Sequence, residues 1–252
     1  MTNDKILEMA LIQAAEDYGC KAEDFLKPDN MCVRFAPTAR ARKYLYPPYV
    51  LDMATYGSNI VCACARETEK PAYEYIEALD PERAFECPNI NRLNAMLSPL
   101  GCEIAGMGEY FLPRMELVQA LPSPLPIRML YSKDFKDLYV PEFSNALCEK
   151  RKELDCLGAG AYDGGKLVAF AACSRDGEDM WQIGVDVLKE YRRQGLAAAV
   201  TSRLAMEILS LGKVPFYCCA WANVKSAKNA LKCGFRPAWA QMYAGKKRQI
   251  ME

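Results

Sequence analysis

The stretch Trp181-Gln-Ile-Gly-Val-Asp-Val-Leu-Lys-Glu-Tyr-Arg-Arg-Gln-Gly-Leu-Ala197 decides how the second half of this chain is read. Its first seven residues alternate. Trp181, Ile183, Val185 and Val187 therefore share one face of a strand, and Gln182, Gly184 and Asp186 share the other. Gly184 stands where a bulge or a close backbone approach requires a residue without Cβ. Leu196, Val200, Leu204, Ile208 and Leu211 then recur at helical spacing, so a helix opens at once and packs on a sheet. Between the two, Arg192 to Ala197 aim free backbone N–H groups outward at the positive end of the helix dipole, which is a phosphate-binding device. Arg192 and Arg193 have little packing reason to stand in such a turn.

A second segment follows downstream. Val214-Pro-Phe-Tyr-Cys-Cys-Ala-Trp221 is aromatic and apolar and reads as a buried strand. Asn223 sits where a helix N-cap belongs, with Ser226 three residues on. Ala227, Ala230 and Leu231 mark the apolar stripe of a short helix, and Gly234 ends it in the left-handed region.

The spacing Arg192-x-x-Gly195-x-Ala197 resembles the pyrophosphate loop of the GNAT superfamily of N-acetyltransferases. Asn223-x-x-Ser226-x-x-x-Ala230-x-x-x-Gly234-Phe235 resembles that family's segment over the pantetheine arm and adenine end of coenzyme A. The runs Met180 to Leu188 and Val214 to Tyr217 are further similar to a two-domain subgroup from low-GC Gram-positive bacteria.

The meander before the loop agrees with that family's order of strands. Leu157 to Tyr162 precede the turn Asp163-Gly164-Gly165, Lys166 to Ser174 return, and Asp176-Gly177 turns the chain into the strand at 180. Phe235 to Tyr243 supply a last strand. The expected class is α+β: a GNAT fold, with a mixed, mostly antiparallel central sheet flanked by helices, over residues 127–252. Pro122, Pro124 and Pro126 make 121–126 an extended linker. Residues 1–120 read as an α+β accessory domain. Within it, Lys5 to Tyr18 is an amphipathic helix, Gly57 to Ala65 a turn and buried strand, and Pro71–Leu79 and Asn89–Leu97 two short helices. By analogy with tandem members of the family this half is a degenerate second lobe, covering one side of the acceptor cleft.

Thirty-two basic residues cancel thirty-two acidic ones, so no global field draws the chain to nucleic acid or an anionic membrane. Lys189, Arg192, Arg193, Lys225 and Lys228 form a local basic set, and Gly245-Lys-Lys-Arg248 reads as a solvated tail. Twelve cysteines without a Cys-x-x-Cys, in a chain without histidine, favour packing over a metal site. With no apolar run long enough to span a bilayer, the expectation is a reduced cytoplasmic protein, monomeric or homodimeric.

The resemblance implies direct attack of an amine on the thioester of acetyl-CoA within a ternary complex, with no metal. It assigns coenzyme A contacts to Val185, Val187, Leu188, Arg192, Arg193, Gln194, Gly195, Leu196, Ala197, Asn223, Ser226 and Lys228. In the family the two central strands splay and the cofactor fills the gap. A tyrosine seven residues after the asparagine often protonates the leaving thiolate, but here that position is Ala230, so Tyr217, Cys218, Cys219 and Ser226 stand as substitutes. Without histidine, a carboxylate must act as base. Asp186 and Asp179 are the candidates, Asp186 because a strand interior disfavours aspartate. Asp176 and Glu178, like Asp179, lie just before the strand where the family's bases often sit, while Asp176 and Asp179 also read as ordinary hairpin-turn residues. The acceptor is a small-molecule or peptide amine. The rival reading is an acyl-CoA sensor that binds but transfers nothing.

Overall fold

In a computed structural model, which describes residues 1–43 and 49–247, the chain sorts into two contact-dense units. One joins Met1–Met9 to Phe111–Pro237, and the other joins Ala10–Tyr110 to the chain from Ala238 onward. These limits differ from 1–120 and 127–252 for a physical reason at each end. The Asn3 side-chain amide donates to Glu116 (2.8 Å) and its oxygen accepts from the Met115 N–H (2.9 Å), which ties the chain start to the later segment. Residues Ala240 to Ala244 of the last strand pair with Leu51 to Thr55, which ties the chain end to the earlier one.

In the unit built on 111–237, strands line up as β4–β9–β8–β7–β6–β5. They are β4 (Cys102–Pro113, of which the last three residues belong here), β5 (Ile127–Tyr131), β6 (Asp155–Asp163), β7 (Lys166–Ser174), β8 (Met180–Val187) and β9 (Val214–Cys219). β5 to β8 pair antiparallel with their neighbours, and β8 pairs parallel with β9. Helices α4 (Leu196–Ser210) and α5 (Val224–Lys232) share one core with the sheet. Leu196, Val200, Leu204 and Ile208 are buried there against Trp181, Ile183 and Phe235. Leu211 is not: it lies past the last helical residue, at the turn into Gly212 (φ 75°), and is exposed. Phe135, Phe143, Ala146 and Leu147 form a separate cluster with Phe170 and Ala172 of β7. They come from residues 132–154, a run of short 3-10 turns rather than helix. The proline-rich stretch 121–126 is no free linker. Leu121 and Leu125 pack on the core, and the Leu121 N–H donates to Ser202 Oγ at 3.1 Å.

The other unit orders its strands β1–β3–β2–β10–β4, with β1 (Met31–Arg34), β2 (Leu51–Thr55), β3 (Val61–Cys64) and β10 (Phe235–Lys246, from Ala238 on). Helices α2 (Glu69–Ile76) and α3 (Cys87–Leu97) bury Ala72, Tyr75, Ile76, Leu93 and Leu97 against it. Helix α1 (Asn3–Tyr18) buries Ile6, Ala10, Leu11, Ala14 and Ala15, whereas Leu7 is exposed. Its last residue, Tyr18, reaches the fully buried Asp52, whose carboxylate accepts from the Tyr18 hydroxyl (3.0 Å) and from Gln241 Nε2 (3.0 and 2.9 Å). Burial pushes the Asp52 carboxyl up to about 7. The buried pair Asp17 and Arg42 lies in the same unit. The basic run near the chain end is partly engaged, since Lys246 faces Glu67 (3.7 Å) and Lys247 donates to Ser98 Oγ (2.8 Å). Arg248 lies outside the described residues. No described helix is long and apolar enough to cross a membrane.

Candidate functional site

The ladder between β8 and β9 stops at Ile183↔Tyr217, while the ladder between β7 and β8 runs on to Ala169↔Val187. Residues Gly184 to Val187 are therefore paired on one side only. A strand edge of this kind offers alternating N–H and C=O groups to an extended amide-bearing ligand. Val185 and Val187 turn towards the helix-covered core, as the alternation requires, and Leu188 packs beside them.

The chain then turns through Lys189–Tyr191 into a loop of unusual backbone. Arg193 has φ 64°, the one positive value among described residues other than glycine, and Gly195 follows at φ 84°. A side chain in the left-handed region costs energy, and such residues concentrate at functional turns. Gly195 is the N-cap of α4, and no side chain caps the helix. The first N–H groups of a helix have no partner within it, so those at Leu196, Ala197 and Ala198 point out of an uncapped, positively polarised end. Arg192 donates from Nε to the Val187 carbonyl (3.0 Å), which ties the loop back to the open end of β8, and Gln194 donates to the Glu190 carbonyl (3.4 Å). Arg192, Arg193, Gln194 and Gly195 are all exposed. The arrangement is chemically suited to a phosphate diester or pyrophosphate.

Tyr217, at the fork where the ladder ends, is buried, and its hydroxyl meets Ser226 Oγ at 2.8 Å. Ser226 is held by the Asn223 cap, whose Oδ1 accepts the Ser226 N–H at 3.2 Å. Burial raises the Tyr217 phenol above its ordinary range, so it stays protonated at neutral pH. Ala230 is fully buried in the core beneath α5. Gln182 donates from Nε2 to Cys218 Sγ (3.1 Å) on the other face of the fork. Lys225 and Lys228 lie exposed on α5.

The carboxylates fall out differently from expectation. Asp186 accepts three hydrogen bonds, from the Asn145 N–H (2.8 Å), Asn145 Nδ2 (2.6 Å) and the Ala146 N–H (2.9 Å). It clamps the 144–147 segment onto β8, and that work engages three of the roughly four acceptor sites of the carboxylate. Gly184 belongs to the same contact. A Cβ there would lie 1.9 Å from the Asn145 carbonyl oxygen, which is the close backbone approach its position implies. Asp179 accepts from Lys213 Nζ at 2.8 Å and stands before the first residue of β8. At about 3.3 Å per residue it is roughly 16 Å from the fork's open edge at Gly184. Asp176 is fully buried, bonded to Ser174 and paired with Arg151. Tyr217 and Ser226 are thus brought together at the fork; Asp186 lies in its open edge with its carboxylate engaged by Asn145 and Ala146, and Asp179 stands before the strand. The Asn145–Ala146 segment escapes sequence reasoning because irregular turns carry no periodicity. The sole hint is Asp186 itself, a polar residue in a strand that had to find a partner.

Comparison with known proteins gives the same direction. Residues 109–240, just over half of the chain, match the family described as GNAT acetyltransferase. No curated protein matches the chain. Among solved structures, it is similar to a GCN5-related N-acetyltransferase from Kribbella flavida at 14% identity and TM-score 0.49, over 81% of this chain and 90% of that one. It is also similar to a GCN5-related N-acetyltransferase-like protein from Streptococcus suis at 21% identity and TM-score 0.44, over 62% and 69% of the two chains. For a GNAT-family acetyltransferase from Colwellia psychrerythraea the values are 17% and 0.43, over 57% of each chain.

Proposed function

Given that this chain belongs to the GNAT acetyltransferase family, we propose that it moves an acetyl group from acetyl-CoA to a primary amine by direct attack. The observation that carries the reading is the conjunction at β8: an edge left open from Gly184 to Val187, leading straight into an uncapped helix with Arg193 and Gly195 in left-handed backbone. The pyrophosphate of coenzyme A takes the N–H groups from Arg193 to Ala198, with Arg192 and Arg193 adding charge. The pantetheine amides lie along Val185 to Leu188, and Asn223, Ser226 and Lys228 border the same arm. The amine nitrogen bonds to the thioester carbon, and a backbone N–H of the open edge steadies the oxyanion that develops. The carbon–sulfur bond then breaks, and the departing thiolate takes the proton of the Tyr217 hydroxyl, which Ser226 holds in line. The proton released by the amine passes to water, and water returns one to the Tyr217 oxygen, which closes the cycle. Asp186, which holds Asn145 and Ala146, and Asp179, which pairs with Lys213, are given no part in that transfer.

Calorimetric melting of the protein and of Gly195→Asp with acetyl-CoA tests this reading. Saturation at a hundredfold excess over Kd stabilises by about 2.7 kcal/mol, a rise of several degrees for a chain of this size. Wild type should show that rise and Gly195→Asp should lose it. Absence of any shift with acetyl-CoA in wild type overturns the site.

A second reading has its own observation. The position of the family's tyrosine is Ala230, sealed in the core, and the chain holds no histidine. A protein that binds acyl-CoA as a sensor would show the same thermal shift, yet release no free thiol with any amine of a broad panel. Release of thiol that depends on an added amine decides for the transferase.

A further inference from the structure

Two of the cysteines stand apart from the rest. Cys156 lies in β6 at an irregularity in its ladder with β7: Asp155 pairs with Ser174 and Leu157 with Cys173, so Cys156 is the extra residue between them. That bulge turns its thiol to Cys173, and the two Sγ atoms are 3.7 Å apart. A disulfide needs about 2 Å, so closure asks for an approach of under 2 Å within one pair of neighbouring strands. Cys156 is partly exposed, whereas Cys173 is sealed in the core behind it. Cys156 is thus the more open of the two residues, and the second sulfur waits directly behind it.

We propose that Cys156 and Cys173 are a dithiol site that a hydroperoxide closes to a disulfide, with Cys156 attacking and Cys173 resolving. The Cys156 thiolate sulfur attacks one oxygen of the peroxide, the O–O bond breaks, and the alkoxide leaves and takes up a proton as the alcohol. Cys156 is then a sulfenic acid. The Cys173 sulfur attacks the Cys156 sulfur, the S–S bond forms, and the sulfenic hydroxyl leaves with the Cys173 proton as water. Two thiols lose two electrons and the peroxide gains them.

The electrostatics divide the roles in the same way. The hydrogen bond from Cys173 and, next to it, the Arg175 cation hold the Cys156 thiol below its ordinary value, while burial pushes Cys173 well above its own. Elsewhere burial pushes Cys20 and Cys233 up to about 12, and side-chain hydrogen bonding to Cys62 helps raise Cys32 to about 12. Cys32 also bonds Cys64, so that cluster is the internal competitor for oxidation. The new bond would form one strand from the fork, since Cys173 is the ladder partner of Ile183, the last residue of β8 paired with β9.

Full-length protein is treated with increasing cumene hydroperoxide, unfolded in an alkylating agent, digested and mapped by mass spectrometry. The first oxidised product should be the peptide pair joined through Cys156 and Cys173, and dithiothreitol should reverse it. The proposal fails if Cys32 links to Cys62 or Cys64 first, if Cys156 is recovered fully alkylated after other thiols have reacted, or if it goes to sulfinic acid with Cys173 still free. In Cys173→Ala, dimedone should trap several-fold more sulfenic acid at Cys156 than in wild type, and an unchanged yield overturns the resolving role. If that variant does not fold, the wild-type map decides alone.

Discussion

Replacing Asp186 by alanine separates a clamp from a base. The substitution removes the acceptor of three hydrogen bonds, two from Asn145 and one from the Ala146 N–H. Bonds to a charged acceptor are worth about 1.5–3 kcal/mol each, but Asn145 is exposed and water replaces much of what it loses. Ala146 is buried, so its N–H keeps nearly the full penalty. The sum is about 2–4 kcal/mol, or roughly 4–16 °C in melting temperature for a chain of this size. Asp186→Asn keeps one carbonyl oxygen and should lose about half as much. Urea unfolding at neutral pH, read beside the pH dependence of acetyl transfer, measures both effects. A clamp lowers stability and leaves the acid limb of the rate profile in place. A base does the reverse, and its loss costs about 10²-fold or more in rate. A destabilisation below about 0.5 kcal/mol together with a vanished acid limb would refute the clamp and restore Asp186 as the base.

Other expectations follow from the same geometry. Gly184→Ala places a Cβ 1.9 Å from the Asn145 carbonyl oxygen, a backbone atom that must move; a loss of about 2–3 kcal/mol in urea unfolding is expected from such overpacking. Tyr217→Phe removes the hydroxyl that meets Ser226, so kcat should fall by about 10²-fold while KM for acetyl-CoA stays within about twofold in steady-state assays. Asp52 gives a pH dependence of unusual sign. Burial raises its folded value to about 7 while the unfolded carboxyl titrates near about 4, so between those values the native state keeps a proton that the unfolded chain has lost. Stability from this group is complete below about pH 4 and falls as pH rises through about 7, by about 4 kcal/mol in all. Wild type compared with Asp52→Asn by urea unfolding at pH 5 and pH 8 should show about 2.5 kcal/mol of that loss, and a flat comparison would count against it.

What could be read from the chain alone was whatever repeats with a period or needs a special backbone. The alternation from Trp181 to Val187 assigned both faces of β8, and Trp181 and Ile183 are indeed core. Gly184 announced a close approach that the structure contains, and Gly234 a left-handed helix end, found at φ 88°. The 132–154 segment announced nothing, because 3-10 turns impose no repeat on apolar residues, and so the partner of Asp186 stayed hidden. The prolines of 121–126 suggested an extended linker, but proline content says nothing of whether Leu121 and Leu125 pack on a core, as they do. The short edge strands β1 and β5 also lacked a signal, since four or five residues hold too few alternations to count. The meeting of Cys156 and Cys173 depends on a bulge, and a single extra residue in a ladder leaves no trace in composition.

The interleaving of the two units has a consequence for the order of biosynthesis. β10 lies between β2 and β4 in the sheet of the unit built on 10–110, yet its residues from Ala238 on leave the ribosome only after the whole of 111–237. That unit, although most of it is translated before 111–237, waits with two strand edges unsatisfied until the residues from Ala238 on have been made. Pairing across almost two hundred residues of sequence is slow to nucleate and exposes unpaired edges to other nascent chains meanwhile. A fragment ending near residue 126 would lack its own central strand and should accumulate as aggregate, however complete it looks on a linear map.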